Sequence, residues 1–184
     1  MQKIILINGL PATWKTSLGQ KISKEFWLPF YSKDSFKEII FDFIWDKKEL
    51  WKEKISQASY EFLYFILEQN LKVWKNIIIE SNFIPEFSNK IFKKFLEKYD
   101  FEILQIFCET DWKILFERFK TRSFWTDRHP WHDDKNNIEF WKDIMLNWDL
   151  EPLDLPWKLI KLDTSDFEKI NYEKLNFEIK EFIF

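Results

Sequence analysis

The sequence predicts an α/β protein in which a five-stranded parallel sheet is sandwiched by helices. Three observations carry this. Short apolar runs alternate with longer segments of helical period along the 184 residues, the pattern of strands joined by crossover helices. The first run, KIILIN (Lys3–Asn8), passes directly into the loop GLPATWKTS and then into a helix, a strand–loop–helix unit. The runs are apolar throughout rather than alternating, as strands covered on both faces are.

The elements follow in order. Lys3–Asn8 is the first and central strand. Thr16–Phe26 is the helix after it, with Leu18, Ile22 and Phe26 recurring on one face. Leu28–Ser32 is a short second strand. Ser35–Ile44 and Lys52–Leu71 are helical, the second through apolar Ile55, Ala58, Phe62, Phe65, Ile66 and Leu71. NIIIE (Asn76–Glu80) is the third strand and Phe87–Lys98 the next helix. Phe101–Phe107 is the fourth strand, followed by a helix over Trp112–Lys120. Leu159–Leu162 is the fifth strand, and Phe167 opens a closing helix. With no repeat, linker or low-complexity segment, residues 1–184 read as one domain carrying a lid segment over 118–135.

Composition narrows the function classes. Hydrophobic content of 46% and charged content of 32% belong to an ordinary soluble domain large enough to bury a core. A net charge of −3 gives no bulk attraction to nucleic acid or an anionic membrane. No apolar run is long enough to span a bilayer, and the N-terminus enters a strand without a cleavage region. The lone Cys108 excludes a disulfide scaffold; flanked by EILQIF, it reads as a buried strand residue. Together these predict a cytoplasmic protein. Lysine is used nearly everywhere, yet the three arginines, Arg118, Arg122 and Arg128, fall in one short segment. Only arginine offers a planar bidentate fork to phosphate, so this clustering points to function.

Tryptophan stands where glycine belongs. Average usage of about 7% would give roughly 13 glycines, but the chain has 2 Gly and 11 Trp. Trp27 and Trp74 sit where helices end before strands, the usual C′ place of glycine. Trp45, Trp112, Trp125, Trp148 and Trp157 fall beside Asp, Lys, Thr or Pro in stretches that read as turns. Some bacterial lineages read the codon UGA as glycine where another translation table reads tryptophan. We expect most or all eleven tryptophans to be glycines of the native protein.

The loop Gly9, Leu10, Pro11, Ala12, Thr13, Trp14, Lys15, Thr16, Ser17 matches the P-loop pattern G-x-x-x-x-G-K-[ST] except at Trp14, which occupies the second glycine. Its backbone N–H groups and the following helix N-terminus form an anion nest. Lys15 is expected to bridge the β- and γ-phosphates of ATP, and the Thr16 hydroxyl to hold Mg²⁺. Glu80, at the tip of the third strand, is a second candidate for Mg²⁺ or for orienting a nucleophile. Asp34 lies at another carboxyl end of the sheet, where ligands bind in open α/β folds; its alternative role is to cap the helix at Ser35. Arg118 and Arg122 lie four apart and share a helical face, and Arg128 follows in TDRHPWHDD. His129 and His132, with Asp133 and Asp134, match no strong zinc spacing, so they are expected to contact substrate or hold the loop.

With Trp read as Gly, the chain resembles the small kinase-like P-loop proteins called AAA-family ATPases. That group is related to zeta toxins, chloramphenicol phosphotransferase and polynucleotide kinases. GLPATWKTS, YSKDSF, IIIESNF, ERFKTR, DRHPWH (RHPGH in the family) and LDTSD carry the likeness, in the family's order. The resemblance implies a nucleoside-kinase-like, three-layer P-loop NTPase fold and transfer of the ATP γ-phosphate. The acceptor hydroxyl would belong to a small molecule, nucleoside, sugar nucleotide or nucleic-acid end. It also implies that Asp34 is the general base, with Arg118, Arg122 and Arg128 in the lid region. Two rivals stand beside this reading: a switch that binds or slowly hydrolyses ATP and acts through a partner, and, given the departures at Trp14 and Trp131, an inactive pseudoenzyme if the tryptophans are genuine.

Overall fold

A computed structural model describes residues 1–44, 51–125, 128–132, 134–147 and 150–184. The strands are β1 (Gln2–Gly9), β2 (Phe30–Ser32), β3 (Ile77–Glu80), β4 (Phe101–Glu109) and β5 (Leu159–Asp163). The helices are α1 (Lys15–Phe26), α2 (Lys33–Phe43), α3 (Trp51–Lys72), α4 (Pro85–Leu96), α5 (Trp112–Ser123), α6 (Ile138–Asn147) and α7 (Tyr172–Ile183). All strands pair in parallel in the order β2-β3-β1-β4-β5, which puts β1 at the centre.

Alternate residues of β1 point to opposite faces, and each face finds its own core. Ile4 and Leu6 join Leu63, Leu67, Phe83 and Phe92 beneath α3 and α4. Ile5 and Ile7 join Leu18, Ile22, Leu175 and Ile179 beneath α1 and α7. This two-sided burial is why the strands read as apolar runs. A smaller cluster of Leu115, Phe119 and Met145 seats α5 and α6 on Leu10 and Ala12 of the P-loop. Register then sets the site: Ser32 and Ile7 flank Glu80, and Gly9 lies beside Cys108, all at the carboxyl edge.

Several expectations are corrected. The helix after β2 begins at Lys33 with Ser32 as its cap residue, so Asp34 sits inside the first turn and is not the cap. Trp112 is the first residue of α5, capped by Asp111, rather than a turn residue. The segment opening at Phe167 is a short 3₁₀ turn; α7 starts at Tyr172, where the Asn171 side chain accepts from the Lys174 N–H. Trp45, Trp148 and Asp133 lie outside the described residues. Among the described residues no helix is long and apolar enough to cross a membrane. Cys108 is buried, which pushes its thiol up to about 12 and leaves it unreactive.

Candidate active site

The P-loop turns through backbone that few side chains adopt. Gly9 has φ 144°, and a Cβ there would stand 2.5 Å from the Cys108 carbonyl oxygen. Ala12 and Trp14 lie in the left-handed region at φ 66° and 61°. The Thr13 hydroxyl and the Lys15 ammonium both donate to the Leu10 carbonyl, at 2.8 and 2.7 Å, closing the loop on itself. Trp14 precedes α1 without any side-chain cap, so the N–H groups of that first turn stay available to an anion. Its indole lies 5.4 Å from the Phe167 ring, with the Arg118 guanidinium 5.7 Å from its centroid. Arg118 is itself fixed there, donating to the Thr164 and Ser165 carbonyls.

Behind the loop, Glu80 accepts hydrogen bonds from the hydroxyls of Ser32 (2.7 Å) and Thr16 (3.1 Å), and Lys15 stands 4.0 Å away. Burial raises the Glu80 pKa; Lys15 and the two hydroxyls offset only part of this. Burial likewise lowers that of Lys15. Among the described residues no three His, Cys, Asp or Glu side chains gather to hold a metal by themselves. The donors present are all hard oxygens, around a carboxylate whose charge is incompletely compensated. That fits a Mg²⁺ shared between Thr16, Glu80 and a ligand's phosphates.

Asp34, from the first turn of α2, opens onto the same space with 52% of its side chain exposed. The protein packed around the carboxyl desolvates it and opposes its ionisation, but Lys37 at 3.2 Å, then Lys33, His132 and Lys15, hold it well below the usual carboxylate range. Lys33 is buried over the Tyr60 ring and donates to Asn82 Oδ1 at 3.1 Å. Asn8 Oδ1 accepts from the Phe83 N–H at 2.8 Å, which ties the β3–α4 connection to the end of β1.

The far wall is built from α5 and the segment after it. Arg122 and Arg128 meet Asp134, whereas His129 and His132 face α2, at 3.2 Å from Asp42 and 2.8 Å from Glu38. Phe41 packs edge-on against both His129 and Trp131. Both histidines hold the loop against α2, and His132 also lines the cavity. The open cleft between these walls, about 1170 Å³, is lined by Pro11–Ser17, Asp34, Glu80, Arg118, Arg122 and Arg128. Gly9 and Leu10 shape the loop from below and are not part of that lining.

Sequence reasoning missed three contributors. Ser32 and Asn8 carry no motif, and their roles follow only from strand register. Helix α6, which brings Trp141 against Phe119, was not expected, although Ile138, Trp141 and Met145 keep a helical spacing.

No protein-family model and no curated protein matches the chain. Solved structures do. A candidate kinase from Chloroflexus aurantiacus J-10-fl is 27% identical, with a TM-score of 0.85 over 98% of this chain and 96% of that one. Shikimate kinase from Bacteroides thetaiotaomicron superposes with a TM-score of 0.60 at 16% identity, covering 98% and 99%. A gluconokinase from Sinorhizobium meliloti 1021 gives 0.54 at 13%, covering 98% and 94%. The fold is therefore the P-loop fold of small kinases, a five-stranded parallel sheet with helices on both faces.

Proposed function

We propose that this chain is a cytoplasmic, Mg²⁺-dependent phosphotransferase that moves the γ-phosphate of ATP to a hydroxyl-bearing acceptor. One observation carries the reading. A P-loop lysine, a hydroxyl–carboxylate pair, an aspartate in the first turn of α2 and two lid arginines converge on a single cavity. The candidate kinase from Chloroflexus, matched over nearly the whole of both chains, supports the same class. The motifs shared with kinase-like AAA-family ATPases favour that subgroup.

Catalysis would be positioning and charge stabilisation. Lys15 and the α1 N-terminus draw the phosphates into the loop, and Arg122 and Arg128 close on the transferring group. When bound by Thr16 and Glu80, Mg²⁺ would neutralise charge developing between the β- and γ-phosphates. Asp34 is the base, but Lys37 and Lys33 make it a weak one. In a loose, metaphosphate-like transition state the acceptor loses its proton late, so an orienting carboxylate suffices.

The same reading holds that the tryptophans are glycines in the protein as made. The non-glycine residues at left-handed φ, among those described, are Ala12, Trp14, Trp27 and Trp74. Three tryptophans thus hold a conformation that costs an L-residue about 1–2 kcal/mol and glycine almost nothing. Trp131, Trp141 and Trp157 pack against aromatic rings, so at these positions the reading rests on the codon. UGG codons throughout would overturn it. If residue 14 is tryptophan in the protein, its indole on Phe167 beneath Arg118 favours an inactive relative instead.

The test is calorimetry of Mg·ATP on the chain as given and on the form with glycine at all eleven positions, then acceptor-dependent ADP release. Binding confined to the glycine form is the expected result. Equal binding would mean that Trp14 is tolerated, and no binding by either form would overturn the nucleotide reading.

A further inference from the structure

The three arginines occupy different environments. Arg118 is tied to backbone carbonyls beyond β5. Arg122 and Arg128 converge on one carboxylate oxygen: Arg128 Nε donates to Asp134 Oδ2 at 2.9 Å, and a terminal nitrogen of Arg122 lies 4.0 Å from the same atom. The Asp134 side chain is 4% exposed, so guanidinium rather than water surrounds its charge. Two positive charges and one negative leave a surplus positive charge on the cavity wall. Arg122 Nε is buried and has no acceptor among the described residues, so the pair retains unspent donor capacity beside the cavity.

Two guanidiniums this close repel unless a counter-charge lies between them. Burial lowers the Arg122 pKa and the Arg128 charge adds to this, while Asp134 works in the opposite sense. The segment bearing Asp134 is itself held. The turn just before it, Pro130–His132, is pinned to α2 through His132–Glu38 and His129–Asp42. The carboxylate therefore has a fixed place from which to set both arginines.

We propose that Asp134 is the positioning residue of the lid: through one carboxylate oxygen it holds Arg122 and Arg128 side by side, so that their remaining N–H groups meet a terminal phosphoryl dianion. This rests on the nucleotide reading above. Asp134 touches no phosphate; it acts through the arginines.

ADP and ATP separate the parts. Mg·ADP reports the P-loop, and the preference for Mg·ATP over Mg·ADP reports the lid. Both affinities are measured by calorimetry on the full-length form that binds nucleotide in the preceding experiment. Asp134→Asn is expected to keep ADP affinity within about twofold and to lose about tenfold of the ATP preference, the size of one charge-assisted hydrogen bond. Asp134→Glu, which keeps charge and acceptor, is expected to retain most of that preference. An unchanged preference in Asp134→Asn overturns the assignment, as does a parallel fall in ADP affinity, the mark of a merely structural role. If Asp134→Asn does not fold, a folded Asp134→Glu with both affinities weakened equally overturns it as well. Should no form bind either nucleotide, the nucleotide reading fails and this assignment with it; binding with no ATP preference sinks the assignment alone.

Discussion

In the proposed mechanism the Asp34 carboxylate is the residue on which the chemistry turns. Lys37, Lys33, His132 and Lys15 hold its pKa below the ordinary carboxylate value although burial opposes them. It is therefore ionised throughout the range in which the protein works, and it contributes no titration to activity near neutral pH. A rate limb at pH 6–8 would have to belong to another group. Asp34→Asn keeps shape and loses the charge. Phosphoryl transfer should fall by about 100-fold or more, while the Mg·ATP affinity stays within about threefold because the P-loop is untouched. Acceptor-dependent ADP release and calorimetry measure the two separately; undiminished transfer would remove Asp34 from the mechanism. Lys15→Ala takes away the ammonium next to Glu80 and the loop carbonyl, so both affinity and turnover should drop. Normal turnover in that variant would end the P-loop account.

At the scale of elements, helix ends show most directly what a tryptophan is doing in a glycine's place. After α1, the Trp27 and Leu28 N–H groups both return to the Ser23 carbonyl; after α3, the Lys75 N–H returns to Asn70. These are closures that require a left-handed residue just past the helix, supplied here by Trp27 (φ 54°) and Trp74 (φ 57°). Their indoles are 92% and 64% exposed, so little packing offsets the strain. Trp27→Gly and Trp74→Gly should each stabilise the fold by about 1 kcal/mol, read as a rise in the urea midpoint at constant slope; a lowered midpoint would show the indoles to be packed in solution. The same closures explain what the sequence revealed. Strands buried on both faces announce themselves as apolar runs, and GLPATWKTS is legible despite Trp14 because its spacing is fixed by backbone geometry. Ser32 and Asn8 act through register, which has no local signature. Asp134 acts on Arg122 and Arg128 through a turn between α5 and α6, and no periodicity reports a turn's direction. The alternative reading of Asp34 as a cap fails because the helix begins two residues earlier than expected, at Lys33.

For the molecule as a whole, the cavity depends on α2 and the lid segment staying together, and that contact has a sign in pH. The His132 hydrogen bond lowers the Glu38 pKa, with burial opposing it and His129 assisting. A carboxyl whose folded pKa lies below its unfolded value, about 4.3, adds stability that is fully present above that value. The contribution is lost as pH falls through the folded pKa. Asp34 acts in the same sense. Glu80 acts in the opposite one: its pKa is raised, so protonation on acidification relieves a burial cost and partly offsets the loss. The stability lost on acidification is therefore a difference between α2 and the strand edge. Glu38 is only half-buried, so its share is below about 1 kcal/mol after solvent screening. Glu38→Gln should lower the urea midpoint at pH 6–7, and the gap to the parent protein should narrow in acid as the pH falls through the lowered folded pKa of Glu38. A gap of constant size on acidification would mean that Glu38 acts through packing alone, and that its hydrogen bond with His132 does not set the acid stability of the fold.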